Sequence, residues 1–301
     1  MGATSERTVV VGFDGSAPSR HAVMWAADAA SVGAARLRIV GCYETPVEAA
    51  LLPIATVPTA DLAEGVAAGL EEAAALALRR HPGLQVDAEV AAGTPAGVLT
   101  RAAESASMLV VGASSHHGAA AFWLGSTARA VARRSPVPVV VIHERPAGGG
   151  VRRVIVGYDD TPASDAALRW AADAADRVGA TLLVVHCWTT VYPPADSHTA
   201  SIDEVEAALL LDRAVETARG RCGVTVESEL RLAEPGRELA SMATDRDLLV
   251  LGRPRHGAIL SGLLGSALNG VLERATVPVV VVPEPSATAD AGSAAGAASA
   301  R

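Results

Sequence analysis

Two short segments of the chain have the residue types and position needed to hold a phosphate group. Gly125-Ser126-Thr127 comes after a loop and opens a stretch with helical periodicity, and Gly265-Ser266 does the same later in the chain. At a helix N-terminus the unpaired backbone N–H groups and the positive end of the helix dipole favour an anion. The sequence therefore predicts two anion sites built from a glycine, a hydroxyl group and a helix start.

The two segments belong to a pattern that the chain contains twice. The stretch Val9–Ala27, VVVGFDGSAPSRHAVMWAA, recurs as Val154–Ala172, VIVGYDDTPASDAALRWAA, which aligns Asp14 with Asp159. The alignment continues to the end of each copy, with five residues fewer in the second copy. An internal duplication of this length predicts two domains of the same fold.

We expect the first domain to span residues 5–144 and the second to span 151–284. The join between them, ERPAGGG, has the glycine and proline content of a linker. The final residues, 285–301, are small and lack apolar periodicity, so we expect a disordered tail.

The elements that must position these segments follow from the hydrophobic pattern. In each copy, short β-branched runs alternate with longer amphipathic stretches in the order β-α-β-α-β-α-β-α-β. This order predicts an α/β, Rossmann-like fold in which each domain is a doubly wound, five-stranded, mostly parallel sheet. Such sheets bind ligands at the carboxyl ends of their strands, where Asp14 and Gly112, or Asp159 and Gly252, are expected.

Composition excludes several other classes of protein. The net charge of −8 argues against a general nucleic-acid binder. All 25 cationic residues are Arg, so chemistry that needs a lysine, such as Schiff-base formation, is excluded. No apolar run is long enough to span a membrane, and the first residues lack an apolar signal region. The three cysteines form no CxxC pair, so we expect a cytoplasmic protein.

Three motifs occur in the same order in both copies and together resemble those of the universal stress proteins of the UspA type. In the first copy they are the Val9–Ala27 stretch, Gly93-Thr94-Pro95-Ala96, and VVGASSHHGAAAFWLGSTARAVARRSPVPVVVIH. In the second copy the last motif reads LVLGRPRHGAILSGLLGSALNGVLERATVPVVVV. The resemblance covers about residues 5–284 and implies a tandem member of this family.

This resemblance implies that each copy binds ATP or a similar adenine nucleotide, with or without Mg²⁺. The family's ATP-binding branch carries G-x2-G-x9-G-[S/T] after the fourth strand, but the middle glycine is replaced here by Ser115 and by Arg255. Ser115 is a small change, whereas Arg255 could clamp phosphates or fill the pocket. The implied contacts in the first copy are Asp14, Cys42, Val111, Gly112, Ser115, Gly125, Ser126 and Thr127. In the second copy they are Asp159, Cys187, Leu251, Gly252, Arg255, Gly265 and Ser266.

Several of these residue types also have ordinary structural interpretations, which stay open. Asp14 fits an Asx-turn or helix cap, and the cysteines fit small buried apolar residues. Trp25 and Trp170 fit core packing. The loop residues His116, His117 and His256 fit solvent-exposed positions better than a metal site, since the sequence places no carboxylate or Cys partners beside them.

The function implied is a nucleotide-binding sensor or regulator of the stress response that is not a dedicated catalyst. The last strands, 137–142 and 277–282, are apolar and at the edge of each copy, and the resembled family pairs through this strand, which together imply that the two copies pack as an intramolecular pseudo-dimer. A homodimer of the whole chain and a regulatory protein partner of unknown identity are also expected. Two alternatives remain: a nucleotide-free adaptor with degenerate sites, and a weak enzyme that hydrolyses or transfers from ATP.

Overall fold

The chain was studied as a computed structural model, which describes residues 7–44, 59–113, 124–143, 150–188, 197–254 and 265–285. Both halves have the predicted alternation of strands and helices. The first half contains β1 (Thr8–Gly12), α1 (Ala17–Val32), β2 (Arg36–Tyr43), α2 (Thr59–Arg80), β3 (Val86–Ala92), α3 (Pro95–Ala103), β4 (Met108–Gly112), α4 (Ser126–Arg134) and β5 (Val139–Ile142). The second half contains β6 (Arg153–Gly157), α5 (Pro162–Val178), β7 (Thr181–Trp188), α6 (Ser197–Arg219), β8 (Val226–Leu232), α7 (Pro235–Met242), β9 (Asp247–Arg253), α8 (Ser266–Arg274) and β10 (Val279–Pro283).

The ten strands form one continuous sheet in the order β3-β2-β1-β4-β5-β10-β9-β6-β7-β8. Within each half all neighbouring strands are parallel, which confirms the predicted α/β fold class. The halves meet where β5 pairs antiparallel with β10, so the copies associate through their last strands as expected. Each last strand is an edge of its own half and lies at the centre of the joined sheet.

Strand composition follows this order closely. The three central valines of β1 and all four residues of β5 are buried, because helices cover both faces of the inner strands. The outermost strands, β3 and β8, instead contain exposed charged residues, such as Glu89 and Glu227. Charges on an edge strand oppose pairing with another sheet, so the sheet ends at these strands.

Two continuous layers of apolar side chains cover the sheet. One layer packs under the long helices α1, α2, α5 and α6, and the other packs under the short helices α3, α4, α7 and α8. In α1 and α5 the buried positions are mostly alanine, which allows these helices to approach the valine-rich strands closely. Trp25 and Trp170 pack against the first layer and remain partly exposed.

No helix within the described residues is both long and apolar enough to cross a membrane.

The end of each fourth strand lies directly against the start of a long helix. A Cβ atom added to Gly112 would lie 2.8 Å from the backbone carbonyl carbon of Pro18, and one added to Gly252 would lie 2.3 Å from the carbonyl oxygen of Ala163. Real Cβ atoms do not approach backbone this closely, and backbone moves less readily than a side chain. Glycine at both positions is thus required by helix packing, independently of any ligand.

Polar contacts lock the two halves across the β5–β10 pairing. The Arg253 guanidinium donates to the backbone carbonyls of Arg133 and Ser135 at the C-terminal end of α4, the second of these at 2.6 Å. His143, just after β5, makes a 2.8 Å contact from Nε2 to the carbonyl of Leu272 near the end of α8. Each half therefore places a polar side chain on the final carbonyls of the other half's last helix, where a positive group is favoured.

We expect Arg253→Met to lower the free energy of unfolding by about 1–3 kcal/mol, because it leaves two helix-end carbonyls, one of them on the buried Ser135, without a charged donor. The aliphatic part of the side chain is kept, so the loss reports the hydrogen bonds. Urea denaturation measures it, and Arg169→Met, at an exposed position on α5, serves as the control. Equal effects of the two substitutions would show that the contact adds nothing to the joining of the halves.

Gly252→Ala is expected to destabilise the protein by about 1–3 kcal/mol, since the helix must move away from the strand to admit one methyl group. Gly65→Ala, at an exposed position within α2 with nothing within 4 Å of the added carbon, should instead stabilise by about 0.5–1 kcal/mol. Thermal unfolding of both variants measures the contrast. Unfolding temperatures that shift in the same direction would contradict the close approach at Gly252.

Candidate functional site

The parallel register brings the predicted residues of the first half together at the carboxyl ends of the strands. Gly12 of β1 lies beside Val40 of β2, so Asp14 and Cys42 come next to each other two residues further on. On the other side, Val11 pairs with Val110 of β4, so the end of β4 follows at the same level. Asp14, Cys42 and Gly112 thus converge where the strands end, at the position that open α/β sheets use for ligands.

Asp14 is exposed and begins a tight turn into α1. Its Oδ1 accepts a 3.0 Å hydrogen bond from the backbone N–H of Ser16, which is an Asx-turn, and Gly15 supplies the left-handed φ of +79°. Partial burial raises the pKa of Asp14, but hydrogen bonds from Ser16 and Ser19 outweigh it and leave the pKa below its ordinary value. The carboxylate is therefore charged at neutral pH.

The helix start that sequence analysis selected is joined to the end of β4, the strand next to β1. Gly125 is the N-cap of α4, and its N–H donates a 2.6 Å hydrogen bond to the carbonyl of Ala113, the residue after β4. Gly125 has no side chain with which to cap the helix, and no other described side chain takes that role. The first N–H groups of α4, with exposed Ser126 and half-buried Thr127 beside them, form an arrangement that suits an anion.

Cys42 and Val111 belong to the same apolar layer and provide the apolar surface at these strand ends. Val111 is 3% exposed, so its side chain belongs to the core and its backbone is the part that faces the edge. Cys42 is half-buried, and burial, followed by the charges of Glu44 and Asp14, raises the pKa of its thiol. A thiol with a raised pKa is a small apolar surface at neutral pH and a poor nucleophile.

The second half repeats the turn with different chemistry. Thr161 is the N-cap of α5, forms a capping box with Ser164, and donates from its Oγ1 to Asp159 at 2.6 Å. Asp160 replaces Gly15 and occupies the left-handed region at φ 60°, which aspartate tolerates better than most residues other than glycine. Asp159 is exposed like Asp14, but its Oδ1 already accepts a short hydrogen bond.

The second half places different charged residues around its thiol. Burial and the nearby charges of Glu238 and Glu234 raise the pKa of Cys187 to about 11, and Arg231 only partly offsets them. The equivalent positions in the first half are the uncharged Val98 and Thr94. Glu234 is in addition the N-cap of α7, accepting from two backbone N–H groups.

The remaining predicted residues of the second half occupy positions equivalent to those of the first. Leu251 is buried at 6% exposure and Gly252 packs against the start of α5. Gly265 is the N-cap of α8, exposed and with nothing within 4 Å of an added Cβ, and Ser266 beside it is exposed. Both last helices therefore begin in the same way.

Two predicted contacts, Ser115 and Arg255, lie outside the described residues, as do His116, His117 and His256. The same holds for most of the expected linker and for residues 286–301 of the expected tail. Within the described residues, no cluster of three or more His, Cys, Asp or Glu side chains is arranged to hold a metal ion.

Sequence analysis did not identify the two buried hydroxyls that brace the turns. Ser19 is 4% exposed and Ser164 is 3% exposed, and the hydroxyl of each accepts from the N–H of the aspartate that ends the first strand. The spacing Ser16-x-x-Ser19 and Thr161-x-x-Ser164 is the signal that could have found them, because a hydroxyl three residues after a cap can bond back to it.

Both halves of the chain match one family in comparisons with known proteins. Residues 6–143 and residues 150–283 each match the Universal stress protein family. A universal stress protein of Mycolicibacterium smegmatis is 32% identical over 287 residues, covering 92% of this chain and 97% of that protein. One from Mycobacterium tuberculosis is 31% identical over 285 residues, covering 91% and 96%. The crystal structure of a universal stress protein from Archaeoglobus fulgidus has the same fold, with a TM-score of 0.66, 19% identity, and coverage of 94% of this chain and 100% of that one. The chain therefore belongs to the universal stress protein family, as two tandem copies of the family's domain.

Proposed function

We propose that the protein is an ATP-binding sensor or regulator of the stress response, and that its first half carries the principal nucleotide site. The observation that carries this proposal is the convergence of the charged Asp14, the half-buried Cys42 and the open start of α4 at one edge of the sheet. A flat adenine fits an apolar floor, a ribose hydroxyl can donate to a carboxylate, and phosphates fit a helix N-terminus.

The donor set at this edge suits a nucleotide with phosphates. The N–H groups at the start of α4 and the hydroxyls of Ser126 and Thr127 are all able to donate to phosphate oxygens. Mg²⁺, when it accompanies ATP, needs oxygen ligands, which the phosphates and water supply. The residues present thus fit both ATP and its magnesium complex.

In this proposal the nucleotide is a ligand whose occupancy is read by other proteins and is not a substrate. The raised pKa of Cys42 supports this, because a protonated thiol does not attack a phosphate at neutral pH. In the cytoplasm, a regulatory protein and a second copy of the chain recognise whether the nucleotide is bound.

The second half is proposed as the weaker site. Glu234 and Glu238 stand where the first half has Thr94 and Val98, and they add negative charge near Cys187 that Arg231 only partly offsets. Anionic phosphates are repelled by nearby carboxylates, and the repulsion is larger where water is partly excluded. The open start of α8 is retained, so the second half keeps an anion site of lower affinity.

The first experiment is calorimetric titration of ATP into the parent, Gly125→Val and Gly265→Val. Both glycines are N-caps with extended ψ angles, which valine can adopt, so both variants should fold. We expect Gly125→Val to weaken the tight site by about tenfold or more, because a branched side chain covers N–H groups that contribute about 1–2 kcal/mol. Gly265→Val, its matched control, should leave that site unchanged.

An unchanged tight site in Gly125→Val, or its loss in Gly265→Val instead, would refute the assignment to the first half. Chromatography of the titrated samples should recover ATP intact, and stoichiometric conversion to ADP on a timescale of minutes would favour the enzyme alternative.

A second prediction concerns the acidity of the second half. In the Gly125→Val background, Glu238→Gln should strengthen ATP binding at the remaining site by about two- to fivefold, and the gain should shrink in 0.5 M salt as repulsion is screened. Glu216→Gln, on an exposed face of α6, removes the same charge and should change nothing. If both substitutions act equally, net charge and not local repulsion sets the affinity.

A further inference from the structure

A cavity of about 350 Å³ lies between the two halves, on the face of the sheet covered by the long helices. It is lined by α1 and α5, with Trp25 from one helix and its counterpart Trp170 from the other. Residues at the amino ends of strands complete it, including Val9 and Val154. A volume of this size is within the range of small-molecule sites. None of the residues assigned to the nucleotide edges lines it.

The walls of the cavity are largely hydrocarbon. Val32 at the end of α1 is 55% exposed and Val178 at the end of α5 is 44% exposed, although both are aliphatic. Trp25, Met24 and Trp170 are only partly buried. Apolar side chains that line a concave surface gain about 25 cal/mol for each square ångström covered, so an apolar ligand would be stabilised there.

Most of the charged groups that line the cavity already have partners. Asp28 accepts from Arg80 at 2.5 and 2.7 Å and contacts Nε2 of His81 at 2.7 Å, which ties α2 to α1. Asp247 accepts from Arg153 at 2.6 Å. These groups are mutually neutralised, and their polar atoms are engaged within the protein.

Two lining cations differ from these. Neither Arg7, at the start of β1, nor Arg177, in the last turn of α5, forms an ion pair or side-chain hydrogen bond within the described residues. One comes from each half. The lining carboxylate that is not paired among these residues, Asp245, is exposed to solvent. Among the described residues, the lining charges without an ion-pair partner therefore favour an anionic group at the cavity.

We propose that this cavity binds an amphipathic carboxylate with an elongated hydrocarbon chain, of the fatty-acid class. The hydrocarbon chain lies between Trp25 and Trp170, and the carboxylate pairs with Arg7 or Arg177. Because each half supplies one tryptophan and one arginine, the site exists only where both copies are joined in one chain. The site is separate from nucleotide binding and does not depend on it.

The test is a titration of the full chain with dodecanoate, kept below its critical micelle concentration and monitored by tryptophan fluorescence. We expect a saturable change that is kept in Trp188→Phe and lost in the double variant Trp25→Phe/Trp170→Phe. Affinity should fall by about fourfold for each buried methylene removed, as measured with decanoate and octanoate. Ala29→Leu, which adds bulk to the cavity wall, should abolish binding, whereas Ala17→Leu, exposed on the same helix, should not.

The charge requirement is tested separately. Arg7→Gln/Arg177→Gln should weaken dodecanoate binding by about two- to fivefold, the effect expected of partly exposed ion pairs. Arg169→Gln, outside the cavity on α5, should not weaken it. Binding of dodecanol as tight as that of dodecanoate would overturn the carboxylate assignment. A fluorescence change that persists in a folded Ala29→Leu, verified by thermal unfolding, would overturn the site.

Discussion

The antiparallel pairing of β5 with β10 is the interaction on which the rest of the structure depends. Val140 lies opposite Val280, its own counterpart in the other copy, and the flanking pairs Val139–Val281 and Val141–Val279 are exchanged when the two copies are exchanged. An interface in which one residue of the first copy meets another of the second, and the reverse pair is formed as well, is isologous, as in a two-fold symmetric dimer. Here one chain supplies both sides, so the effective concentration of the two surfaces is high and neither half presents an open, valine-rich edge.

This pairing also explains why both layers of the core are continuous across the molecule. Val140 and Ile142 pack in the same layer as Val280 and Val282, beneath α1 and α5. The polar contacts of Arg253 and His143 then cap the last helix of the opposite half. Unfolding one half would expose the last strand and the helix end of the other, so the two copies are expected to unfold as one cooperative unit.

Much of the architecture could be predicted from the sequence, because its signals are local. Runs such as VVVG and VVVI indicate strands covered on both faces, and the duplication fixes the domain count. The positions of Asp14 and Gly125 follow from strand ends and helix starts. The close approach of α1 to Gly112 could not be predicted, since it depends on how a helix packs on a distant strand. The same is true of Arg253, whose partners are more than a hundred residues away in sequence. The cavity between Trp25 and Trp170 was likewise hidden, because neither copy alone contains it.

The direction of the strands has a geometric consequence for signalling. Since β5 and β10 run in opposite directions, the carboxyl ends of the two sets of strands point to opposite sides of the molecule. A protein docked on one side contacts the turn of Asp14 and not that of Asp159. In the regulatory role proposed above, each surface would report the state of its own half, and the second half could diverge in chemistry without altering what the first half presents.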